Sequence, residues 1–446
     1  MVHIIIRGLV SLLLIAVLCS VSAFADDVAG KCMTCHKETS PGLYLQWHDS
    51  EHAVHGVTCY DCHYAEEDDE DAFLHEGVYI ATMVTPLDCQ MCHYDEAEEF
   101  MSSHHAQAGQ ILESADAYLA HIVGGNPAAI IGCESCHGSK MKIDPDSPNK
   151  LAKGNWPNSG IGRINPDGSL GACNACHSRH GFSRSQARQP ETCGKCHLGP
   201  DHPQKEVYEE SKHGIAYYTN SGKMNLDSQE WIVGIDYHVA PTCATCHFSA
   251  TRDQGITHDA GERISWTLRP PISTLLDNWQ ERRSNMKNVC QNCHGKVFVD
   301  GHYSQLDGLV HLYNEKFARP ATAIMDIIYK NKSLENPASF SNDLEWIYWE
   351  LWHHEGRRAR HGAAMMGPDY VWWHGMYEVG KHFYFKFIPA VRETGDQEAI
   401  AYIEKLLAED SMHTWLQQDT GKLKEAIRRG ELKQLYEDFF QPVLEK

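Results

Sequence analysis

The residues most able to do chemistry in this chain are cysteines and histidines that recur in one pattern. Cys-x-x-Cys-His occurs eight times and uses sixteen of the seventeen cysteines. Two thiols at this spacing can add to the two vinyl groups of one haem, while the following histidine reaches the iron. Disulfide scaffolds and four-cysteine zinc sites also pair cysteines, but neither requires that histidine every time. The pattern therefore predicts a multihaem cytochrome c.

Each motif supplies two attachment cysteines and one proximal iron ligand, so eight covalently bound haem c groups are expected. The attachment cysteines are Cys32, Cys35, Cys59, Cys62, Cys89, Cys92, Cys133, Cys136, Cys173, Cys176, Cys193, Cys196, Cys243, Cys246, Cys290 and Cys293. The proximal ligands are His36, His63, His93, His137, His177, His197, His247 and His294.

The first 25 residues have the pattern of a secretory signal peptide. Arg7 precedes the apolar run LVSLLLIAVL, and the small-residue site Ala23-Phe24-Ala25 follows it. Export suits c-type haem, which is attached outside the cytoplasm, and predicts a periplasmic protein. The remaining cysteine, Cys19, directly follows this run within the apolar segment of the expected signal peptide and would leave with it. A lipoprotein reading of Cys19 is the alternative, although Leu18 occupies a position where a small residue is expected.

Charge and hydropathy limit the partners. The net charge of -21 argues against nucleic acid and anionic membrane surfaces, since both repel an acidic protein. No stretch after the signal peptide approaches the roughly 20 apolar residues that span a bilayer, so we expect no membrane span in the mature chain. A redox partner such as a small cytochrome with basic residues, or a quinone-linked membrane cytochrome, fits better.

The fold is expected to be mainly α. Residues 26–304 contain all eight motifs at unequal intervals, separated by loops rich in Gly, Pro, Asn and Asp, and show little strand signal. This predicts an irregular haem-packed multihaem cytochrome domain, with most motifs on short helices. Residues 305–446 lack cysteine and show apolar residues at helical spacing. They predict a long-helix C-terminal domain.

Aromatic residues are concentrated in two segments of that C-terminal domain, LEWIYWELWHH and DYVWWHGMYEVGKHFYFKFI. Packing between helices is the simpler interpretation. Subunit contact and insulation of haem edges is the other, because Trp and Tyr are enriched at interfaces.

The histidines outside the motifs decide which haems are open. Of 29 histidines, eight belong to motifs, which leaves 21. A haem with two histidine ligands passes electrons, whereas a five-coordinate haem can bind and transform a small ligand. Position alone does not assign partners, but Ser-x-His followed by a small residue recurs at His52, His105 and His213.

Several stretches resemble the octahaem hydroxylamine oxidoreductase family. They are HEGVYIATMVTPLDCQMCH, CNACHSRHGFSRSQARQPETCGKCHLGPDHPQKEVYEESKHG, APTCATCH, THDAGERISW and WWHGMYEV. The resemblance covers almost the whole mature chain and is most specific between Cys173 and Gly214.

The resemblance implies that seven haems have two histidine ligands and that the fourth, on Cys133 and Cys136 with His137, is five-coordinate and catalytic. The implied distal ligands are His52, His75, His105, His180, His213, His258 and His374. Alternatives for individual members of this set are His104, His302, His353 and His354.

The resemblance also implies a catalytic pair in GPDHPQ. Asp201 and His202 match the family's active-site carboxylate and imidazole, which could move protons to or from a nitrogenous ligand. His202 could instead be another distal ligand. Tyr303 is a candidate for a third polar group over the catalytic haem, or an ordinary buried tyrosine.

The implied activity is interconversion of hydroxylamine and other small nitrogen species, such as nitrite or nitric oxide, in a homotrimer. Oxidative family members carry a tyrosine cross-linked to the catalytic haem. Tyr370 and Tyr377 are the candidates here, unless both only pack between helices. The direction therefore stays open, with a reductive nitrite or hydroxylamine reductase as one alternative. A purely electron-transferring conduit with every haem closed is the other.

Overall fold

The computed structural model describes residues 28–154 and 158–444, so the expected signal peptide lies outside the described residues. α-Helices and short 3-10 and π-helical segments dominate, and the sequence prediction of a mainly α fold is confirmed. Among the described residues, no helix combines the length and apolar character that crossing a membrane requires.

The chain forms two compact units. Unit 1 contains the described part of Met1–Thr192 together with Ile256–Glu262, and unit 2 contains Cys193–Gly255 together with the described part of Arg263–Lys446. The sequence-based boundary between 304 and 305 does not coincide with this division. It falls inside the helix Lys296–Tyr313, which begins two residues after the last motif ends at His294.

Unit 1 consists of short elements, and its first motif lies in a helical stretch from 28 to 39. Its further α-helices are Pro41–His48, Glu51–Val54, Cys59–His63, Pro86–Gln90, Tyr94–Ser102, Ala115–Leu119, Gly125–Ile131, Cys133–His137 and Arg184–Arg188. The 3-10 segments are Ala106–Glu113 and Cys173–Ala175, and the π-helical segment is Ala120–Gly124.

A β-hairpin in unit 1 carries one of the predicted iron ligands, His75. Strand Phe73–His75 pairs antiparallel with strand Val78–Ile80, and His75 stands opposite Val78. The two connecting residues, Glu76 and Gly77, both have positive φ, at 49° and 87°. Such a two-residue turn matches the twist of the strands. The hairpin therefore fixes the position of His75 at the end of its strand, next to the turn.

Unit 2 contains the longer helices, and the helix Pro190–Gly194 carries its first motif cysteine, Cys193. Its other α-helices are Gln204–Glu210, Lys212–Asn220, Cys243–His247, Trp279–Gln291, Lys296–Tyr313, Arg319–Asn331, Asp343–Glu350, Arg357–Ala364, Pro368–Val371, Glu378–His382, Ile388–Glu393, Gln397–Glu409, Thr420–Arg429 and Glu431–Leu444. The 3-10 segments are Ser221–Lys223 and Thr414–Gln417, and the π-helical segments are Asn314–Ala318, Leu351–Gly356, Trp372–Tyr377 and Phe383–Phe387.

The C-terminal helices of unit 2 share an apolar core. In Arg319–Asn331, the buried residues Ile324 and Ile328 recur at helical spacing and face Phe387 and Ile403. Burying each such side chain contributes roughly 1.5–3 kcal/mol. The helical periodicity read from this part of the sequence therefore corresponds to a packed apolar core.

A buried histidine in this core makes unit 2 sensitive to acid. His413 is fully buried, and its Nδ1 is hydrogen-bonded to the Tyr384 hydroxyl at 2.9 Å. Burial lowers the pKa of His413 from 6.5 to about 4, against an opposing contribution from Asp410. The unfolded chain therefore binds the proton more readily, and stability that is present above pH 6.5 is lost as pH falls toward about 4.

Replacing His413 tests this link. In His413→Gln, we expect the free energy of unfolding to depend less steeply on pH between about 4 and 6.5. Denaturant unfolding of the holoprotein, followed by circular dichroism at several pH values, measures the slope. Identical slopes for the parent chain and the variant would show that His413 does not titrate on unfolding.

Candidate functional site

The helices of the second and seventh motifs begin with local capping that fixes their first turn. Thr58 caps the helix Cys59–His63, and its backbone N–H donates to Asp61 Oδ2 at 2.7 Å. Thr242 and Thr245 form the equivalent pair at the helix Cys243–His247. Because side chains three and four positions apart share a helix face, the two cysteines and the histidine of such a motif point the same way.

No disulfide joins the sixteen motif cysteines, all of which lie within the described residues. Cys89 and Cys173 hydrogen-bond to each other through their side chains. This contact brings together the attachment points of the third and fifth motifs in unit 1.

Three predicted distal histidines in unit 1 lie opposite motif histidines, with nearly the same distance between ring centres in each pair. An iron that binds two imidazoles lies roughly 2 Å from each ligand nitrogen, so the two ring centres lie about 6 Å apart. The ring centres are 6.3 Å apart in His36 and His75, 6.3 Å in His63 and His180, and 6.1 Å in His93 and His52. These residues fit a bis-histidine haem.

The protonation state of these rings also suits iron, which binds neutral imidazole. Burial, followed by the nearby His63, lowers the pKa of His180 to about 4. Burial and His258 likewise lower the pKa of His177 to about 4, which places His258 near the fifth motif. The His63 Nδ1–H donates to the Ala81 carbonyl at 2.8 Å, so its Nε2 is directed to a metal.

Unit 2 contains two further pairs. The ring centres of His213 and His294 are 6.0 Å apart, in line with the predicted distal role of His213. His202 lies 6.2 Å from His197 by the same measure. His202 thus has the spacing of an axial ligand of the sixth haem, which was the alternative to its catalytic role.

The two remaining distal candidates are placed differently. His374 is half exposed, and its Nδ1 is bonded to Asp369 Oδ2 at 2.5 Å. The ring of Tyr370 lies 5.5 Å from that of His374. His105 lies in a turn, where its carbonyl accepts the Ala108 N–H at 3.1 Å. Both assignments stay predictions.

Asp201 is the centre of an acid-base cluster within unit 2. Its Oδ2 accepts a hydrogen bond from Arg357 Nη1 at 3.1 Å and lies 3.7 Å from His202 Nε2 and 3.9 Å from His353 Nε2. His353 is almost fully buried, and Asp201 is 17% exposed. Arg357 balances the charge of the carboxylate, and the two imidazoles can exchange protons beside it.

Tyr303 lies in a separate part of unit 2. It is buried on the helix Lys296–Tyr313, in a small apolar cluster that Cys290 of the eighth motif also touches. The Arg283 guanidinium lies 4.7 Å and the Lys287 ammonium 5.1 Å from its ring centre. Burial raises the pKa of Tyr303, so its hydroxyl keeps its proton.

Sequence reasoning missed two charged groups around these histidines, Arg357 and Asp369. Arg357 follows Asp201 by more than a hundred residues, and no motif joins them. Asp369 lies five positions before His374, a spacing that does not share a face in an ordinary α-helix. Asp369 and His374 meet where the π-helical segment Trp372–Tyr377 begins. The sequence pattern does not predict that segment.

Comparisons with known proteins agree with the haem chemistry. A family model described as "Seven times multi-haem cytochrome CxxCH" matches residues 168–338, and one described as "Cytochrome c554 and c-prime" matches residues 88–130. A curated relative is the "Probable nitrite reductase-hydroxylamine oxidoreductase fusion protein" of Kuenenia stuttgartiensis, 26% identical over 372 residues. The match covers 69% of this chain but only 38% of that protein's length.

Two solved structures share the fold. A "Hypothetical multiheme protein" is 24% identical, with a TM-score of 0.70 over 84% of this chain and 96% of its own. A reducing HAO-like protein complex of Kuenenia stuttgartiensis is 20% identical, with a TM-score of 0.60 over 86% of this chain and 88% of its own.

Removing one predicted distal ligand should open one haem. In His75→Ala, we expect a new high-spin ferric signal equivalent to a single haem, because the partner of His36 is gone. Electron paramagnetic resonance of the oxidised holoprotein measures it. His48→Ala is the matched control, since His48 is exposed and bonded to Asp49 at 2.9 Å. A His75→Ala spectrum like that of the control would remove His75 from the ligand set.

Proposed function

We propose that this chain is a multihaem cytochrome c of the hydroxylamine oxidoreductase family and that it interconverts hydroxylamine and other small nitrogen species. The proposed enzyme is periplasmic and has eight haems. One haem, on Cys133 and Cys136 with His137 as proximal ligand, is open to substrate, and seven closed haems carry electrons. The redox partner is a small cytochrome or a quinone-linked membrane cytochrome, and the assembly is a homotrimer.

The observation that carries this proposal is the Asp201 cluster. Interconverting nitrite, nitric oxide and hydroxylamine moves several electrons and a matching number of protons. The bound haem supplies the redox chemistry and the site for the nitrogenous ligand. His202 is close enough to Asp201 to exchange a proton with it, while Arg357 hydrogen-bonds to the carboxylate and orients it. A protein that only conducts electrons needs no such group.

The proposal that seven closed haems carry electrons rests on the paired imidazoles. His52, His75, His180 and His213 each face a motif histidine with the ring separation that one shared iron requires. His258, His105 and His374 complete the proposed set. Haems held by such histidine pairs would carry electrons one at a time, which would support a reaction of several electrons at one open haem.

Asp201→Asn tests the acid-base role. General acid-base catalysis contributes roughly a hundredfold or more, so we expect hydroxylamine turnover to fall by about that factor while haem content stays intact. Steady-state assays, with haem quantified separately, measure both. Asp343→Asn removes the same charge from an exposed helix start and serves as control. Unchanged turnover in Asp201→Asn would remove Asp201 from the mechanism.

The second candidate function is a pure electron conduit, and the 6.2 Å separation of His202 and His197 favours it. If His202 closes the sixth haem, the catalytic pair is lost. In this reading, the Asp201 cluster only stabilises a ligand.

His202→Gln separates the two functions. The catalytic role predicts lower turnover and no new high-spin haem, since Gln replaces a proton-exchanging group and leaves the irons closed. The axial role predicts the opposite, a new high-spin signal equivalent to one haem. Turnover and electron paramagnetic resonance are measured on the same holoprotein sample, and a new high-spin signal would contradict the catalytic assignment of His202.

Tyr303 is proposed as a third polar group of the reaction. Its protonated hydroxyl can donate a hydrogen bond, although its surroundings are mostly apolar and cationic. Turnover that is unchanged in Tyr303→Phe would reduce it to a packing residue.

The direction of the reaction depends on a tyrosine cross-link. Tyr370 lies beside His374, and Tyr377 packs on Trp373 with its ring centre 5.3 Å away. The likeness to a complex titled as reducing keeps nitrite or hydroxylamine reduction as an alternative. Mass spectrometry of proteolysed holoprotein decides it. A peptide from 360–385 joined to the haem peptide of Cys133 supports oxidation, and its absence supports reduction.

A further inference from the structure

The pair of Asp369 and His374 spans a change of helix type. Residues five apart lie about 140° apart around an α-helix, at 3.6 residues per turn. Asp369 lies in the α-helical turn Pro368–Val371, and His374 lies in the π-helical segment Trp372–Tyr377 that follows it. Across this junction the carboxylate of Asp369 contacts the imidazole of His374 at 2.5 Å.

A glycine makes this segment possible. Gly375 departs from helical geometry, with φ -123° and ψ -105°. A Cβ added there would lie 2.2 Å from the Tyr370 carbonyl oxygen and 2.8 Å from the Ala359 Cα. Both neighbours are backbone atoms that cannot turn away, so only glycine fits. Gly375 therefore allows the backbone next to His374 to adopt this conformation.

The hydrogen bond determines which nitrogen of His374 can bind a metal. Nδ1 is hydrogen-bonded to Asp369, which leaves Nε2 as the ligand atom. The side chain of His374 is 52% exposed and that of Asp369 is 35% exposed. Glu210 belongs to the same electrostatic neighbourhood, since burial raises its pKa, Asp369 raises it further and His374 lowers it.

We propose that Asp369 is a positioning residue that lowers the reduction potential of the haem ligated by His374. The inference rests on the proposed function in one respect, the axial role of His374. A carboxylate that accepts the Nδ1–H fixes the tautomer and ring orientation and raises the basicity of the ligand nitrogen. A more basic ligand stabilises the ferric iron, so the potential falls.

The contrast with His63 shows why the partner matters. His63 donates its Nδ1–H to the neutral carbonyl of Ala81 at 2.8 Å, whereas His374 donates to a carboxylate. A haem of lower potential gives up its electron more readily. Asp369 therefore makes the His374 haem electronically distinct from a haem whose ligand is held by backbone.

Asp369→Asn in the holoprotein tests the proposal, since Asn keeps an acceptor and removes the charge. A potentiometric titration followed by haem absorbance should show one component shifted to higher potential, with the others in place. Asp369→Glu restores the carboxylate and should return that component toward its original value. Asp343→Asn, on the exposed helix start, should shift none. Asp369→Ser provides the same test if Asp369→Asn assembles without full haem content.

His374→Ala tests the premise separately. We expect it to convert one low-spin haem to high spin in the electron paramagnetic resonance spectrum. An unchanged spectrum would overturn the ligand role of His374, and with it this proposal. A new high-spin haem in His374→Ala, combined with unshifted potentials in Asp369→Asn, would overturn the role of Asp369 alone. The readout is a potential, so it does not depend on whether the protein turns over hydroxylamine.

Discussion

The separation between facing imidazole rings is the constraint on which the rest of the structure depends. Two rings about 6 Å apart leave room for one iron between their nitrogens, and this distance recurs between histidines from unrelated parts of the chain. Holding it requires that each distal histidine sit on an element of defined geometry. The hairpin around Glu76 and Gly77 does this for His75, and a short Ser-capped helix does it for His213.

Local rules explain how the chain meets this constraint with little regular structure. Capping residues such as Thr58 and Thr242 start motif helices at the cysteines, so attachment to haem needs only one turn of helix. The helical core of unit 2 is organised by ordinary burial of apolar side chains instead. Its π-helical segments break the α-helical register, and Arg357, which bonds to Asp201, and Asp369, which bonds to His374, lie beside two of them.

Residue patterns in the sequence predicted the attachment cysteines, the proximal histidines and the mainly α fold. The resemblance to a family supplied His52, His75, His180 and His213, which the structure places opposite motif histidines. The partner of each ligand could not be predicted, because the irregular loops between motifs, rich in Gly, Pro, Asn and Asp, decide which rings meet. The contact between Arg357 and Asp201 could not be predicted from the sequence for the same reason. Asp369 was missed because its contact with His374 lies where a π-helical segment begins, which residue composition does not reveal. The division into units at Thr192, well before the predicted boundary, follows from packing rather than from the end of the motif array.

The central claim is that one haem is open while the others are closed. Quantitative electron paramagnetic resonance of the fully oxidised, unmodified holoprotein, with spins integrated against total haem, tests it most directly. The account predicts a high-spin ferric signal equivalent to one haem in eight, which changes when hydroxylamine or nitrite is added. A spectrum that contains only low-spin haem and does not respond to these ligands would contradict the account. The remaining function would then be electron transfer alone, with every haem closed.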